Sequence, residues 1–303
     1  MSKDFLESAY EKDRATSKWI DERYLFNIVG ICLFWLFFAY TSGQVTADIL
    51  QFLGVDSLSR QMISDVMPFA IVAIWLEIAL PKMHHRSLLT LISAESAINI
   101  KRVAQGFGVW FLMLSIWLGI DLWIEPSNYS LTFEPKTWIL LCLLAIVLVP
   151  IQTSTEELFF RGYVMQGLRL LTRNRFVIIV LVSLLFAVPH FGNPEMARGP
   201  FVWGALGYFS WGAFATAIAI KDNGLELSLG VHAANNLFLT LFLSTPDSVV
   251  VTPAIFTYDS SSLDPRLGLV STIIDAVLFY AIFFGGISRP ATQSEASKTP
   301  TSD

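Results

Sequence analysis

Residues 137–164, "TWILLCLLAIVLVPIQTSTEELFFRGYV", run apolar for most of their length and then place Glu156, Glu157 and Arg161 before the apolar pattern has ended. About 20 helical residues cross a hydrocarbon core of about 30 Å, so the first part of the stretch reads as a membrane helix. Charged groups at membrane depth cost several kcal/mol each unless paired or hydrated, so the same stretch that points to the fold also points to a site.

Working outward, the rest of the chain has the same character. Of 303 residues, 54% are hydrophobic and 15% charged, far more apolar than a soluble domain of that length. The fold class is all-α, a polytopic membrane helix bundle. A window of about 19 residues finds about eight transmembrane helices, near residues 25–41, 66–81, 104–122, 137–155, 175–191, 201–220, 226–244 and 267–287.

Basic residues assign the sides. Lys3, Lys12, Arg14, Lys18 and Arg23 precede the first span; Lys82, Arg86, Lys101 and Arg102 separate the second and third; Arg169, Arg173 and Arg175 separate the fourth and fifth. The positive-inside rule makes all three cytoplasmic, and with an even number of spans both termini are cytoplasmic. The connections carrying Asp48, Asp56 and Asp65, then Asp121, Glu125 and Glu134, then Asp247, Asp259 and Asp264, face outward. The expected organisation is a cytoplasmic segment at 1–24, a bundle at 25–288 and a disordered tail at 289–303, in a multi-pass protein of the cell (plasma) membrane. The N-terminus is charged for too long to be a signal peptide. The apolar composition makes the lipid bilayer the partner; the net charge of -5 says little about partners, because acids and bases are sorted by membrane side, and no nucleic-acid role is inferred.

Several polar or small-residue features read as structural. Cys32 and Cys142 sit in apolar runs as small hydrophobes. "HHRSLLTLISAESAINIKRVAQ", residues 84–105, mixes apolar and basic residues as a helix lying in the cytoplasmic interface would, with His84 and His85 as interfacial charge. "GALGYFSWGAFATAIA", residues 204–219, has the small residues that let membrane helices approach, and reads as packing. Glu77 and Asp275 read as interfacial or helix-pairing groups.

The remaining deep polar residues converge. Glu156 and His190 are equidistant along the chain from the basic turn at Arg173, so a helical hairpin brings them to one depth; His232 lies about 12 Å into its own helix, in the same layer. Glu157 and Arg161, at i and i+4, share a helix face, while Glu156 points about 100° away toward the interior. His232 and Asn236 share another face, with Asn235 pointing elsewhere, and Phe186 and His190 repeat the spacing beside Pro189. A carboxylate, two imidazoles and a carboxamide on three helices at one depth form a constellation for activating water.

With "EELFFR" (Glu156, Glu157, Arg161), "FAVPH" (Phe186, His190) and "HAANN" (His232, Asn236), the chain resembles the CAAX protease and bacteriocin-processing (CPBP, or Abi) family over about residues 130–245. These are intramembrane endopeptidases and include the prenyl-protein CAAX endopeptidases of eukaryotes. The resemblance implies a site open to the cytoplasm that cleaves a membrane protein or peptide substrate near the cytoplasmic face. It makes Glu156 the general base, has His190 orient the water, lets His232 and Asn236 stabilise the oxyanion, and gives Glu157, Arg161 and Phe186 supporting roles. A desolvated carboxylate suits a base, and preorganised donors act strongly in a dry site. Glu156, His190 and His232 would suit zinc, a metal often ascribed to the family, although the chain has no H-E-x-x-H; a metal-free Glu–His pair uses the same residues, and the sequence leaves both open. A transporter with charges along a path, or a non-catalytic membrane scaffold or immunity protein, is the alternative.

Overall fold

The computed structural model describes residues 5–6, 20–95, 97–262 and 264–285. The long apolar runs become helices α1 (Ile20–Phe52), α2 (Ser57–His84), α4 (Ile100–Ile124), α5 (Pro135–Leu171), α6 (Arg175–Ala187), α7 (Phe201–Asp222), α8 (Glu226–Leu241) and α9 (Pro265–Phe284), with a short α3 (Leu89–Ile92) between α2 and α4. The ends are set by local chemistry. Asp56, Asn99, Glu134, Asn174 and Asp264 accept N–H groups of the first turns of α2, α4, α5, α6 and α9, and Pro135 and Pro265 occupy first-turn positions.

The chain is an integral membrane helix bundle; the first of the eight expected spans, 25–41, falls on α1, where most side chains lie outside the described residues. Among the described residues, six helices are long and apolar enough to cross a membrane: α2, α4, α5, α6 extended to Gly192, α7 and α9. Helix α8 has 16 residues and carries Glu226, His232, Asn235 and Asn236, so it is both short and polar; it is sheltered by its neighbours instead of facing lipid along its length. The proposed N-terminal segment lies outside the described residues apart from Phe5, Leu6 and the start of α1, as do the C-terminal tail and the side chain of Cys32.

Two ends of the bundle are defined by contacts. At one end Arg102 grips Asp222 (Nη2–Oδ1 2.5 Å), Arg86 donates to Gln166 (2.6 Å), and the Leu225 N–H donates to the Ile92 carbonyl (2.7 Å). This is the basic end. At the other, β1 (Tyr129–Leu131), β2 (Leu243–Ser244) and β3 (Phe256–Tyr258) form a small sheet in the order β1-β3-β2, with Tyr129 opposite Tyr258 and Leu243 opposite Phe256.

The helix expected across 84–105 is not there. Between α2 and α4 only Leu89–Ile92 is helical among the described residues; Leu91 and Ile92 are buried, Leu91 against Gly162, and the chain turns through a Ser93–Gly224 bridge before Asn99 caps α4. Apolar side chains with a partner in the core have no reason to lie along the lipid interface. His84 likewise is not interfacial charge: it is buried, its Nε2 2.8 Å from the Tyr163 hydroxyl and its ring 4.2 Å from that of Tyr24. His85 is exposed, in the left-handed conformation that ends α2. Glu77 is exposed, and Asp275 pairs helices, accepting from Trp117 Nε1 at 2.7 Å.

Candidate active site

The site begins where α5 changes form. It is α-helical to Glu156, π-helical over Glu157–Val164, and α-helical again from Met165. Such π insertions are rare and occur often at functional sites. Every residue from Glu157 to Val164 is buried, so the charged pair is enclosed: Arg161 Nη1 donates to Glu157 Oε1 (3.1 Å), and both side chains are fully excluded from solvent.

His232 reaches this pair from α8. Its Nδ1 lies 2.8 Å from Glu157 Oε1, the oxygen that Arg161 holds, and its Nε2 lies 3.6 Å from Glu156 Oε2. A carboxylate only accepts, so the proton on Nδ1 is assigned by the Glu157 contact, and Nε2 faces Glu156. The expectation that Glu157 serves Arg161 while Glu156 faces the interior is therefore extended: one imidazole touches both carboxylates.

Phe186 connects the two remaining parts. The Arg161 guanidinium carbon stands 4.1 Å from the centre of its ring, while Arg161 Nε and Nη2 meet no hydrogen-bond acceptor among the described residues. The aromatic face supplies attraction where an acceptor is lacking. The other neighbour of Phe186 is His190, at 4.6 Å between rings. Pro189 lacks an N–H, α6 ends at Ala187, and a 3₁₀ turn over Val188–Gly192 carries His190, whose Nδ1 lies 2.7 Å from the Phe186 carbonyl.

Asn236, one turn beyond His232, accepts at Oδ1 from Asn235 Nδ2 (3.1 Å), and Asn235 accepts in turn from Trp110 Nε1 of α4 (3.3 Å). Asn235 thus ties Asn236 to α4. Two residues from the stretch read as packing also reach the site: Tyr208, its ring 4.4 Å from His190, and Trp211, 5.7 Å from His232. The packing reading holds for their neighbour Gly212, where an added Cβ would come within 3.0 Å of Ser183 Cα.

The Nδ1 atoms of both histidines are engaged, by Phe186 and by Glu157, which leaves Nε2 as the nitrogen that either could offer to a metal, while no group of three or more His, Cys, Asp or Glu among the described residues is arranged to hold a metal ion. What the arrangement can do is hold a carboxylate against an imidazole whose other nitrogen is fixed by a buried ion pair.

Residues 135–238 match the family described as Type II CAAX prenyl endopeptidase Rce1-like. A protein of Bacillus subtilis (strain 168), described as uncharacterized protein YyaK, is 38% identical over 225 residues, covering 73% of this chain and 74% of that protein. The matched region contains Glu156, Glu157, Arg161, Phe186, His190, His232 and Asn236.

Proposed function

Because the chain belongs to the Rce1-like family of CAAX-type intramembrane endopeptidases, we propose that it cleaves a membrane-associated protein or peptide with a water activated by Glu156. The observation that carries this reading is His232, held at Nδ1 by Glu157 and facing Glu156 with Nε2. Glu156 takes a proton from water as the water oxygen attacks the scissile carbonyl carbon. The resulting oxyanion is met by His232 and Asn236, with His190 orienting the water. Collapse breaks the C–N bond, and Glu156 returns the proton to the leaving amine. Glu157 and Arg161 keep His232 in place, and no step is routed through a metal.

Depth supports cleavage near the cytoplasmic face. An added Cβ on Gly162 would lie 3.0 Å from Leu91 Cβ and 3.6 Å from Leu225, so residue 162 is level with the basic end, and Glu156 lies about 9 Å deeper along its helix. By the positive-inside rule that end is cytoplasmic, as are both termini, and the host membrane is the plasma membrane.

The test uses the purified protein with a farnesylated peptide ending in a CAAX sequence and its unprenylated twin, beside mass spectrometry of membrane-proteome fragments from cells with wild type or Glu156→Gln. Fragments that disappear with Glu156→Gln support the reading. Near-wild activity of Glu156→Gln on an identified substrate overturns it. Activity lost to a chelator and restored by zinc would replace the metal-free mechanism with a metallopeptidase one.

A further inference from the structure

His190 stands where its own helix gives it little support. The α-helical form ends at Ala187, and Val188–Gly192 continues as a 3₁₀ turn in which Pro189 lacks an N–H. One hydrogen bond fixes the ring: Nδ1 lies 2.7 Å from the Phe186 carbonyl, and because a carbonyl only accepts, Nδ1 carries the proton. Nε2 is then the nitrogen left for water. A single bond still lets the imidazole swing, and a displacement of about 1 Å at a reacting group is costly.

Two rings remove that freedom. Phe186 lies 4.6 Å from the imidazole centre at an interplanar angle of 36°, and Tyr208 of α7 lies 4.4 Å from it at 32°. At these distances and tilts each ring lies over the imidazole, and one face has no room for both, so the two cover opposite faces. Phe186 belongs to the helix that carries His190. Tyr208 comes from another helix and so fixes the imidazole relative to the bundle.

The placement of Tyr208 follows from the sequence of α7. Gly204, Tyr208 and Gly212 recur at i, i+4 and i+8 and share one face of the helix. An added Cβ on Gly212 would stand 3.0 Å from Ser183 Cα, and one on Gly204 2.6 Å from Met196 Sδ. The two glycines thus let α6 close in on one side of Tyr208 and the Val188–Pro200 connection on the other. Side chains lean toward the helix N-terminus, so Tyr208 reaches toward that connection. Its hydroxyl donates to Glu195 Oε1 and accepts from Asn193 Nδ2 (2.8 Å), and Asn193 Nδ2 lies 3.2 Å from the same Glu195 oxygen. Asn193 and Glu195 follow His190 in the chain, so one tyrosine grips the connection twice, by its ring at His190 and by its hydroxyl beyond it.

We infer that Tyr208 is a positioning residue: its ring, tied through its hydroxyl to Asn193 and Glu195, holds the His190 imidazole so that Nε2 faces the reacting water. The use made of Nε2 rests on the peptidase reading; the clamp itself does not.

The full-length protein carries four histidines, so 15N-histidine labelling in detergent gives a readable spectrum, with His190 assigned by comparison with His190→Gln. At about pH 8.5, where an unperturbed imidazole is neutral, His190 should show one tautomer, with Nδ1 protonated and Nε2 not. Tyr208→Leu should average the two nitrogen signals toward each other. On the farnesylated CAAX peptide it should also lower kcat roughly tenfold or more, with KM within about twofold. Tyr208→Phe keeps the ring and should retain the wild-type pattern, with kcat within about threefold. An unchanged His190 pattern in Tyr208→Leu overturns the proposal, whatever happens to activity. Damage from Tyr208→Phe equal to that from Tyr208→Leu also overturns it, since the hydroxyl and not the ring would then be acting. An altered pattern with unchanged kcat supports the clamp and sinks the role given to His190 in peptide cleavage. If Tyr208→Leu fails to fold, through-space cross-peaks between the Tyr208 and His190 ring protons of the unsubstituted protein decide, and their absence overturns the proposal.

Discussion

His232 joins the two neighbouring glutamates of α5, with Nδ1 2.8 Å from Glu157 Oε1 and Nε2 3.6 Å from Glu156 Oε2. Successive helical residues point about 100° apart, so a single side chain meets both only by inserting between them. The two carboxylates then do different work. Glu157 shares its oxygen with Arg161 and is wholly enclosed, whereas Glu156 is held only from one side.

That difference separates their substitutions. Glu156→Gln should lower proteolysis about 10²-fold or more while leaving the thermal midpoint in detergent near wild type, because it removes a base, keeps the side chain's size and leaves the enclosed Glu157–Arg161 pair intact. Glu157→Gln should lower both: it frees His232 from its tether and leaves Arg161 as an unpaired buried charge, a loss of about 3–5 kcal/mol. Cleavage rates and thermal unfolding on the same preparations check this. A stable, inactive Glu157→Gln protein would remove Arg161 from the argument.

Phe186 should matter through Arg161 and His190 together. Phe186→Ala removes a ring with 1% exposure that touches both, so a stability loss of about 3–5 kcal/mol is expected along with lost activity. Phe186→Tyr keeps the face over the guanidinium and should retain most of the thermal midpoint. If Phe186→Leu matched Phe186→Tyr in unfolding experiments, apolar filling alone would explain the position.

Much of this was legible in the sequence. Apolar runs located the helices, and the i, i+4 spacing of Glu157 and Arg161 gave the ion pair because that contact is local. The shared depth of Glu156 and His232 followed from counting along helices. What escaped depends on contacts distant in the chain. Tyr208 and Trp211 sit among small residues with no polar signature, and only the fold of α7 against α6 and α8 turns their rings to the histidines. His84 reads as surface charge until Tyr24 and Tyr163 cover it. The π segment over Glu157–Val164 has no sequence mark, since the same residues also suit an α-helix.

The Arg198–Asp247 pair gives a pH dependence outside the spans. Hydrogen bonding from Arg198 holds the Asp247 carboxyl at about 2, below its usual value of about 4. A depressed folded-state pKa gives stability that is present above about pH 4 and lost as pH falls through about 2. The difference in thermal midpoint between wild type and Asp247→Asn should therefore be constant from about pH 8 to 5 and shrink in more acidic buffer. A difference that grew on acidification would mean that the pair does not hold the connection after α8 to Val188–Pro200.

The contact between α4 and α8 positions His232, and two glycines set its closeness. A Cβ on Gly230 would stand 2.1 Å from the Val103 carbonyl oxygen, and one on Gly106 2.5 Å from that of Leu227. Both obstacles are backbone, which has no rotamer to yield, so the helices must separate. His232 lies two residues beyond Gly230 and would move with it, away from Glu157 in α5. Gly230→Ala should therefore lower activity about 10²-fold, since misplacement by about 1 Å costs that much, even in protein that still runs as a single species by size-exclusion chromatography. Gly108→Ala, on the same helix as Gly106 but with open space around the added carbon, is the control and should behave as wild type. Equal activity for Gly230→Ala and Gly108→Ala would show that the site tolerates a looser α4–α8 contact.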